Sequence, residues 1–369
     1  MTISNETELK KTPLYDRHVQ KGGKVVDFAG WALPIQYTSI MEEHLAVRNH
    51  VGIFDVSHLG EISVKGPNAF QFLQKIVPTD LSPLQKNRIQ YSIVLNEKGG
   101  IKDDILIYKE SDDAFYLVIN AGNIDKIDAH LNKYAIPGVT LQNDSDRLGC
   151  IAVQGPASVK ILPQIFGDHF ANLQYYEYRD LPGWKNVWIS RSGYTGEDGF
   201  EFFANGEQLI QIWDKLIASE KKHQLTFCGL GARNTLRLEV GNALYGHEMT
   251  EETRPSESRL GWLVSKNKKD YIGYEALQNH QVSSSSTQIC GFILEEKGVA
   301  RDGYEILKGS SKIGYVTSGS YSPTLKQNIG LARVLKEDSK VGSEWNINVH
   351  NRHLKARVVK LPFVPIKHL

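Results

Sequence analysis

The most pointed local feature of the chain is Gly99-Gly100-Ile101-Lys102-Asp103-Asp104, two adjacent carboxylates where a hairpin turn runs into an apolar strand. A carboxylate beside apolar strand residues is a candidate acid, base or cation stabiliser. Side chains alternate across a strand, so Asp103 and Asp104 face opposite ways and only one serves a given pocket. Period two groups Asp103 with Ile105 and Ile107, and Asp104 with Leu106 and Tyr108. Both sets are apolar, so the pattern does not choose between them. Turn chemistry competes with the functional reading, because Asp stabilises turns through its own backbone.

A second candidate is the Gly-rich stretch Ser192-Gly193-Tyr194-Thr195-Gly196-Glu197-Asp198-Gly199-Phe200-Glu201. Gly-rich loops present N–H groups to anions. This one lacks the GxxxxGK(S/T) order and carries Glu197 and Asp198, which repel phosphate. A tight hairpin ending in an acceptor at Glu201 is the better reading. A carboxylate there suits a ligand with paired N–H donors, such as an aminopyrimidine ring, because two parallel bonds to a carboxylate are short and strong. Further on, Gly229 to Glu239 opens a helix with Arg233 and Arg237 four apart on one face. A guanidinium near the positive end of the helix dipole calls for an anionic partner. That partner is either Glu239 or another acid in a structural bridge, or a carboxylate ligand or acidic site residue.

Metal ligation finds little support. The twelve histidines are scattered, Glu42-Glu43-His44 lacks the HExxH order, and Asp55-Val56-Ser57-His58 is one weak local group in which His58 is expected to be structural. The chain carries no GxSxG elbow, Walker loop or GxGxxG fingerprint after a strand, which weighs against hydrolase, nucleotidase and dehydrogenase chemistry.

The elements around these residues can be read from periodicity. Gln90–Leu95 and Ile105–Tyr108 form a hairpin across the turn at 96–100, and Phe115–Ile119 is a third strand ending at Asn120. Ile124, Ile127, Leu131 and Tyr134 then follow at helical spacing. Asn205 is placed to cap a helix whose apolar stripe is Leu209, Ile212, Trp213, Leu216 and Ile217. Two segments resemble each other: Val64-Lys65-Gly66-Pro67 and Val153-Gln154-Gly155-Pro156 each end a strand in Gly-Pro before a helical pattern. Gly permits the sharp corner and Pro at a helix start loses no needed donor, so two α+β subdomains of similar construction are expected. The polar run Gln281 to Thr287 reads as a linker. Beyond it, Gly291–Leu294, Lys312–Thr317 and Trp345–Val349 alternate in the manner of a small β-barrel or sandwich.

With 369 residues and 41% apolar content the chain is long enough for two or three domains with real cores. Lys and Arg number 43 against 42 Asp and Glu, so no net field draws it to nucleic acid or anionic lipid. Three separated cysteines, Cys150, Cys228 and Cys290, argue against a disulfide framework or zinc knuckle and fit a reducing compartment. Met1 to Lys11 is polar, and no window has the length of a membrane span. A cytoplasmic protein without membrane or nucleic-acid partners is expected.

Almost end to end, the chain resembles the aminomethyltransferase (T-protein) family of the glycine cleavage system. The resemblance rests on Thr12-Pro13-Leu14-Tyr15, Val26-Asp27-Phe28-Ala29-Gly30-Trp31, Gly52-Ile53-Phe54-Asp55-Val56-Ser57-His58, and the Gly99–Asp104 and Ser192–Glu201 stretches. It continues through Cys228-Gly229-Leu230-Gly231-Ala232-Arg233, Leu244-Tyr245-Gly246 and Thr317 to Leu325. It implies an α+β, three-domain, cloverleaf-like arrangement around a tetrahydrofolate site. In this arrangement two interleaved subdomains occupy 1–278 (1–50 with 145–255, and 51–144 with 256–278), and a β-barrel occupies 288–369.

The resemblance also implies site residues. Asp104, the second Asp of the GGIxDD motif, is the catalytic one. Asn120 and Tyr194 line the folate pocket, Glu201 pairs with the pterin, and Arg233 lies in the folate site. The implied partner is a lipoylated carrier, the H-protein. Its aminomethyl group gives up the methylene carbon to tetrahydrofolate, yielding 5,10-methylenetetrahydrofolate, ammonia and the dihydrolipoyl carrier. Relatives of similar build give two alternatives: a folate-dependent demethylase of a small amine or sulfonium compound, or a folate-binding assembly factor without turnover, which usually lacks the catalytic Asp. This chain departs from the family pattern at Asn234, Leu59, Ser256–Arg259 and His368.

Overall fold

The computed structural model describes residues 8–170, 172–279, 286–350 and 352–367. The expected hairpin is present: Ile89–Leu95 returns as Ile101–Ser111, and Ala114–Ile119 adds a third strand. Gly60–Lys65 pairs beside Ala114–Ile119, and Thr140–Asn143 completes a five-stranded antiparallel sheet. Helices Ala69–Ile76 and Ile124–Lys133 cover one face, burying Ile62, Phe72, Ile105, Ile107, Leu117, Ile127 and Leu131.

The second copy repeats this order. Tyr178–Asp180, Trp188–Ser190, Gly199–Asn205 and Leu148–Gln154 are successive neighbours, covered by helices Ser158–Phe166 and Gly206–His223. Asn205 caps the long helix by accepting the Gln208 N–H at 3.0 Å. Leu209, Ile212, Trp213 and Leu216 are buried as expected, and Ile217 packs at the margin of that core.

The two Gly-Pro corners are one construction used twice. Gly66 (φ +120°) and Gly155 (φ +133°) turn where a Cβ would stand 2.2 Å from the Gly138 carbonyl oxygen and 2.3 Å from that of His50. Their N–H groups donate to the carbonyls of Asp113 (2.8 Å) and Asp198 (2.7 Å), each just ahead of its repeat's fourth strand. Gly60 lies opposite Ile119 in one sheet and Gly149 opposite Ala204 in the other, so Asn120 and Asn205 hold equivalent positions.

One strand departs from the expected division. Gly52–Asp55, read as part of 51–144, pairs with Leu148–Gln154 in the six-stranded sheet, with Thr226–Phe227 parallel beyond it. Conversely, Thr140–Asn143, just ahead of the second copy, pairs with the first strand of the first. Each repeat thus satisfies the open edge of its first strand with the segment that precedes the other repeat, which leaves neither edge as an unpaired template. The two sheets face each other across Phe54, Val56, Leu106, Tyr108, Val118, Cys150, Ala152 and Phe203.

The last part of the chain is a closed six-stranded barrel built from Thr287–Leu294, Glu305–Lys308, Ser311–Ser322, Gln327–Leu335, Glu344–Val349 and Arg352–Val359. Phe292, Ile306, Val316, Trp345, Ile347 and Val358 fill it. Most of the linker read at 281–287 lies outside the described residues. Buried charges tie the barrel to the repeats. Arg48 bridges Glu239 and Glu197, and Glu239 also accepts the hydroxyls of Ser322 and Thr324. Arg237 bonds Glu248 at 3.0 Å and Ser318 at 2.8 Å. The architecture is the expected α+β one, two related repeats with antiparallel sheets followed by a barrel. Among the described residues no helix is long and apolar enough to cross a membrane.

Candidate active site

Where the two repeats and the barrel meet lies a cavity of about 750 Å³. Asp104, Asn120, Tyr194, Glu201 and Arg233 all line it. The volume is that of a site for a small organic ligand.

Asp103 and Asp104 part as strand alternation requires. Asp103 goes with Ile105 and Ile107 to the core side of its sheet and is fully buried. Asp104 goes with Leu106 and Tyr108 to the side facing the second repeat, where the space between the sheets opens into the cavity. The two carboxylates meet again at Asn120, which ends the neighbouring strand. Its Nδ2 donates to Asp103 Oδ1 at 2.8 Å and to Asp104 Oδ1 at 2.8 Å. Asp103 also accepts the Asn120 backbone N–H at 3.1 Å and Asn123 Nδ2 at 2.6 Å. Asp104 Oδ2 accepts the Tyr91 hydroxyl at 2.9 Å.

No cation pairs with either carboxylate among the described residues, and burial raises the proton affinity of both. For Asp103 the Asp104 charge adds to burial and pushes the pKa up to about 8.

Glu201 comes from the fourth strand of the second repeat, opposite Ala152. One carboxylate oxygen accepts the Ser192 hydroxyl, which is itself 2.7 Å from Ser190 Oγ. Burial raises the proton affinity of Glu201, so a ligand that donates hydrogen bonds to it is favoured. The other acids of the Gly-rich stretch are committed elsewhere: Asp198 to Arg191, Glu197 to Arg48 and Lys367. Tyr194 donates its hydroxyl to the Ala243 carbonyl and presents its ring to the Arg233 guanidinium, 4.7 Å away.

Of the two helical arginines, Arg237 is the structural bridge, through Glu248 rather than Glu239. The Arg233 guanidinium has no hydrogen bond or ion pair with the described residues, and burial lowers its pKa. An unpaired guanidinium lining a cavity is a site for an anion.

His58, expected to be structural, also lines the cavity, edge-on to Phe28 at 5.4 Å, with its buried Nδ1 unpartnered. Burial and then Arg233 bring its pKa down to about 4, so the ring is neutral. Asp55 turns away from it to Thr12 (2.7 Å) and His18 (2.8 Å). Among the described residues no group of three or more His, Cys, Asp or Glu is placed to hold a metal ion. Tyr91 and the exposed Trp262, whose ring lies 6.1 Å from that of Tyr91, were not singled out by sequence reasoning. A signal for Tyr91 existed: across the predicted hairpin it lies opposite Leu106 and so diagonal to Asp104 on the same face.

This architecture and cavity have known relatives. The family model for the GCVT N-terminal domain matches residues 14–268, and that for the glycine cleavage T-protein C-terminal barrel domain matches 288–365. The aminomethyltransferase of Halalkalibacterium halodurans is 45% identical over 360 residues, covering 97% of this chain and 98% of that protein. A Thermoanaerobacter aminomethyltransferase is 42% identical over 359 residues, covering 96% and 97%. The crystal structure of the glycine cleavage system aminomethyltransferase T from Bartonella henselae matches with a TM-score of 0.91 at 32% identity, covering 97% of this chain and 99% of that one. In sequence and in fold alike, then, the chain belongs to the glycine cleavage T-protein family of aminomethyltransferases.

Proposed function

We propose that the chain takes the methylene carbon of an aminomethyl group borne on the lipoyl arm of a carrier, the H-protein, and passes it to tetrahydrofolate. The products are 5,10-methylenetetrahydrofolate, ammonia and the dihydrolipoyl carrier, and the reaction takes place in the cytoplasm. The observation that carries this reading is the donor and acceptor set around one cavity: a carboxylate with a lone oxygen to offer at Glu201, an unpaired guanidinium at Arg233, and a carboxylate held without a cation at Asp104. A reduced folate fits that set, because it carries paired N–H donors on its pterin and carboxylates on its glutamate. Tetrahydrofolate supplies the nucleophilic nitrogen that receives the carbon.

Each residue then has a task. Glu201 accepts the pterin N–H pair and fixes the ring in one orientation. Arg233, set over the Tyr194 ring, binds an anionic group of the folate or balances the acids of the site. Asn120 and Tyr194 form the walls. Asp104 sets a negative charge beside the carbon and nitrogen on which positive charge develops, in a space with little water, and accepts or orients a proton of the receiving nitrogen.

The test is a reconstitution of the purified chain with tetrahydrofolate and aminomethyl-loaded lipoyl carrier, with ammonia release as readout. Release should require both. Asp104→Asn keeps the shape and loses the charge, so it should bind tetrahydrofolate while turning over about 100-fold more slowly or worse. Near-normal turnover would refute the role given to Asp104.

A further inference from the structure

Asp103 does not reach the cavity, yet its carboxylate takes more side-chain and backbone donors from the site than that of Asp104 does. Its carboxylate takes three donors: the Asn120 N–H, the Asn120 side-chain nitrogen and the Asn123 side-chain nitrogen. The Asn120 nitrogen has two hydrogens, and the two carboxylates use both. One goes to Asp103 at 2.8 Å, the other to Asp104 at 2.8 Å, the latter shared with the Asp104 carbonyl at 3.2 Å. An amide turned the other way would leave the Asp103 and Asp104 oxygens without its two donated hydrogens and set its oxygen against the Asp104 carboxylate, a repulsive arrangement. The amide orientation is therefore fixed. Among the described residues no donor bonds to Oδ1 of Asn120, a residue that lines the cavity.

We propose that Asp103 is a positioning residue for the transfer. By locking the nitrogen of the Asn120 amide between the two carboxylates, it makes Asn120 present its carbonyl oxygen, beside the free lone pairs of Asp104, to N–H groups of one and the same ligand. In the folate reading, on which this rests, that ligand edge is the reduced nitrogen edge of the pterin, which carries N–H groups and whose nucleophilic lone pair is needed by the incoming carbon, not by an amide N–H. The device selects for the reduced, N–H-bearing form of the ring. An oxidised ring offers a bare nitrogen there and meets two acceptors.

The pair also shares its charge. Two carboxylates joined through one NH₂ group repel each other as anions, so they titrate as a unit, and the charge on Asp104 helps to hold the proton on Asp103. The other titratable groups facing them are Tyr91, Tyr176, Tyr194, Tyr245 and Lys126. Lys126 is itself bonded to Tyr245 Oη and Glu251.

Two variants separate the two carboxyl groups. Asp103→Asn takes away the second carboxyl group, so the later of the two ionisations should disappear while the acid limb of kcat/KM set by Asp104 stays in place. Asn120→Leu removes the bridging donor, so the limb should shift higher. Both should weaken tetrahydrofolate binding several-fold, and both should narrow the preference for tetrahydrofolate over folic acid in a direct binding titration. A merely structural role for Asp103 would leave the preference unmoved.

Carboxyl ¹³C NMR of the full-length free protein, with Asp104→Asn to assign the signals, reads the coupling without any folate. Two linked titration steps in the wild type, with only the lower one left in Asp103→Asn, support the coupling. Independent titration overturns the proposal, as does an unchanged reduced-to-oxidised preference in a folded Asp103→Asn. If the wild type binds neither folate form, the folate reading fails, and the NMR outcome still decides the coupling.

Discussion

Asn120 and Asn205 end the fourth strands of two repeats built on one plan, yet each uses the opposite end of its amide. Asn205 turns its oxygen to the Gln208 N–H and starts an 18-residue helix directly. Asn120 is followed by the short 3-10 turn Ala121–Asn123, and the helix begins only at Ile124. That turn relieves Asn120 of capping, and its nitrogen is drawn to the two carboxylates on the neighbouring strand. The position that supplies an acceptor to a helix in one copy supplies donors to a site in the other. Site chemistry here grew at a place where the plan already called for a polar side chain, once the local helix start no longer needed it.

The comparison is most severely tested at the shared corners. If Gly66 and Gly155 are equivalent, Gly66→Ala and Gly155→Ala should destabilise alike, because each adds a Cβ against a backbone carbonyl oxygen at a φ that L residues rarely adopt. A loss of about 4 kcal/mol or more is expected for each in denaturant titration, enough to leave one or both insoluble. A well-tolerated substitution at one corner alone would mean that the two copies are not held by the same contact.

Much of this plan was legible in the chain. The Gly-Pro recurrence marked the repeat, period two marked the hairpin, and a polar residue ahead of an apolar stripe marked the cap. The interleaving came only from the family resemblance, and the sheet that takes Gly52–Asp55 was not legible, because Gly-Ile-Phe-Asp is buried in whichever sheet receives it and only long-range pairing decides. The choice between Asp103 and Asp104 was closed to pattern for a related reason: both faces of that strand are covered, one by helices and one by the other sheet. Arg233 and Arg237 could not be separated either, since the partner that takes Arg237 is Glu248, beyond the helix's own end. Asn120 joins the carboxylates through a strand-end geometry that no spacing rule records.

A second pair sharpens the contrast on the faces between the sheets. Glu61 and Cys150 follow the equivalent Gly60 and Gly149, and both are fully buried. Among the described residues neither Glu61 carboxyl oxygen has a hydrogen-bond partner, and burial, then Asp144, raises its proton affinity far above the ordinary 4.5. The native state therefore holds a proton that the unfolded chain releases above about that pH, so this group's contribution to stability falls as pH rises from there towards the raised native value. Glu61→Met fills the same space without a polar group. It should gain about 2 kcal/mol over the wild type at pH 8 and much less at pH 4 in matched denaturant titrations. An equal gain at both pH values would show that packing, not ionisation, separates the two residues.

The smallest effect bears most directly on the amide pair. Asn205→Ala removes a helix cap that is not part of the cavity lining, leaving the Gln208 N–H to water, and should cost about 1 kcal/mol. Turnover per folded molecule should be unchanged, because the helix is otherwise anchored by Leu209, Ile212, Trp213 and Leu216 in the core. Asn205→Asp should restore the stability, since a carboxylate at the first turn accepts the same N–H and suits the positive end of the helix dipole. The same Asn-to-Asp change at Asn120 would set a third carboxylate against Asp103 and Asp104 and abolish transfer. One substitution, made at two positions the fold treats as equivalent, should thus be harmless in one copy and fatal to turnover in the other. If Asn120→Asp instead kept its activity, the nitrogen of Asn120 would have no part in holding the two acids, and the two amides would differ in their surroundings but not in their work.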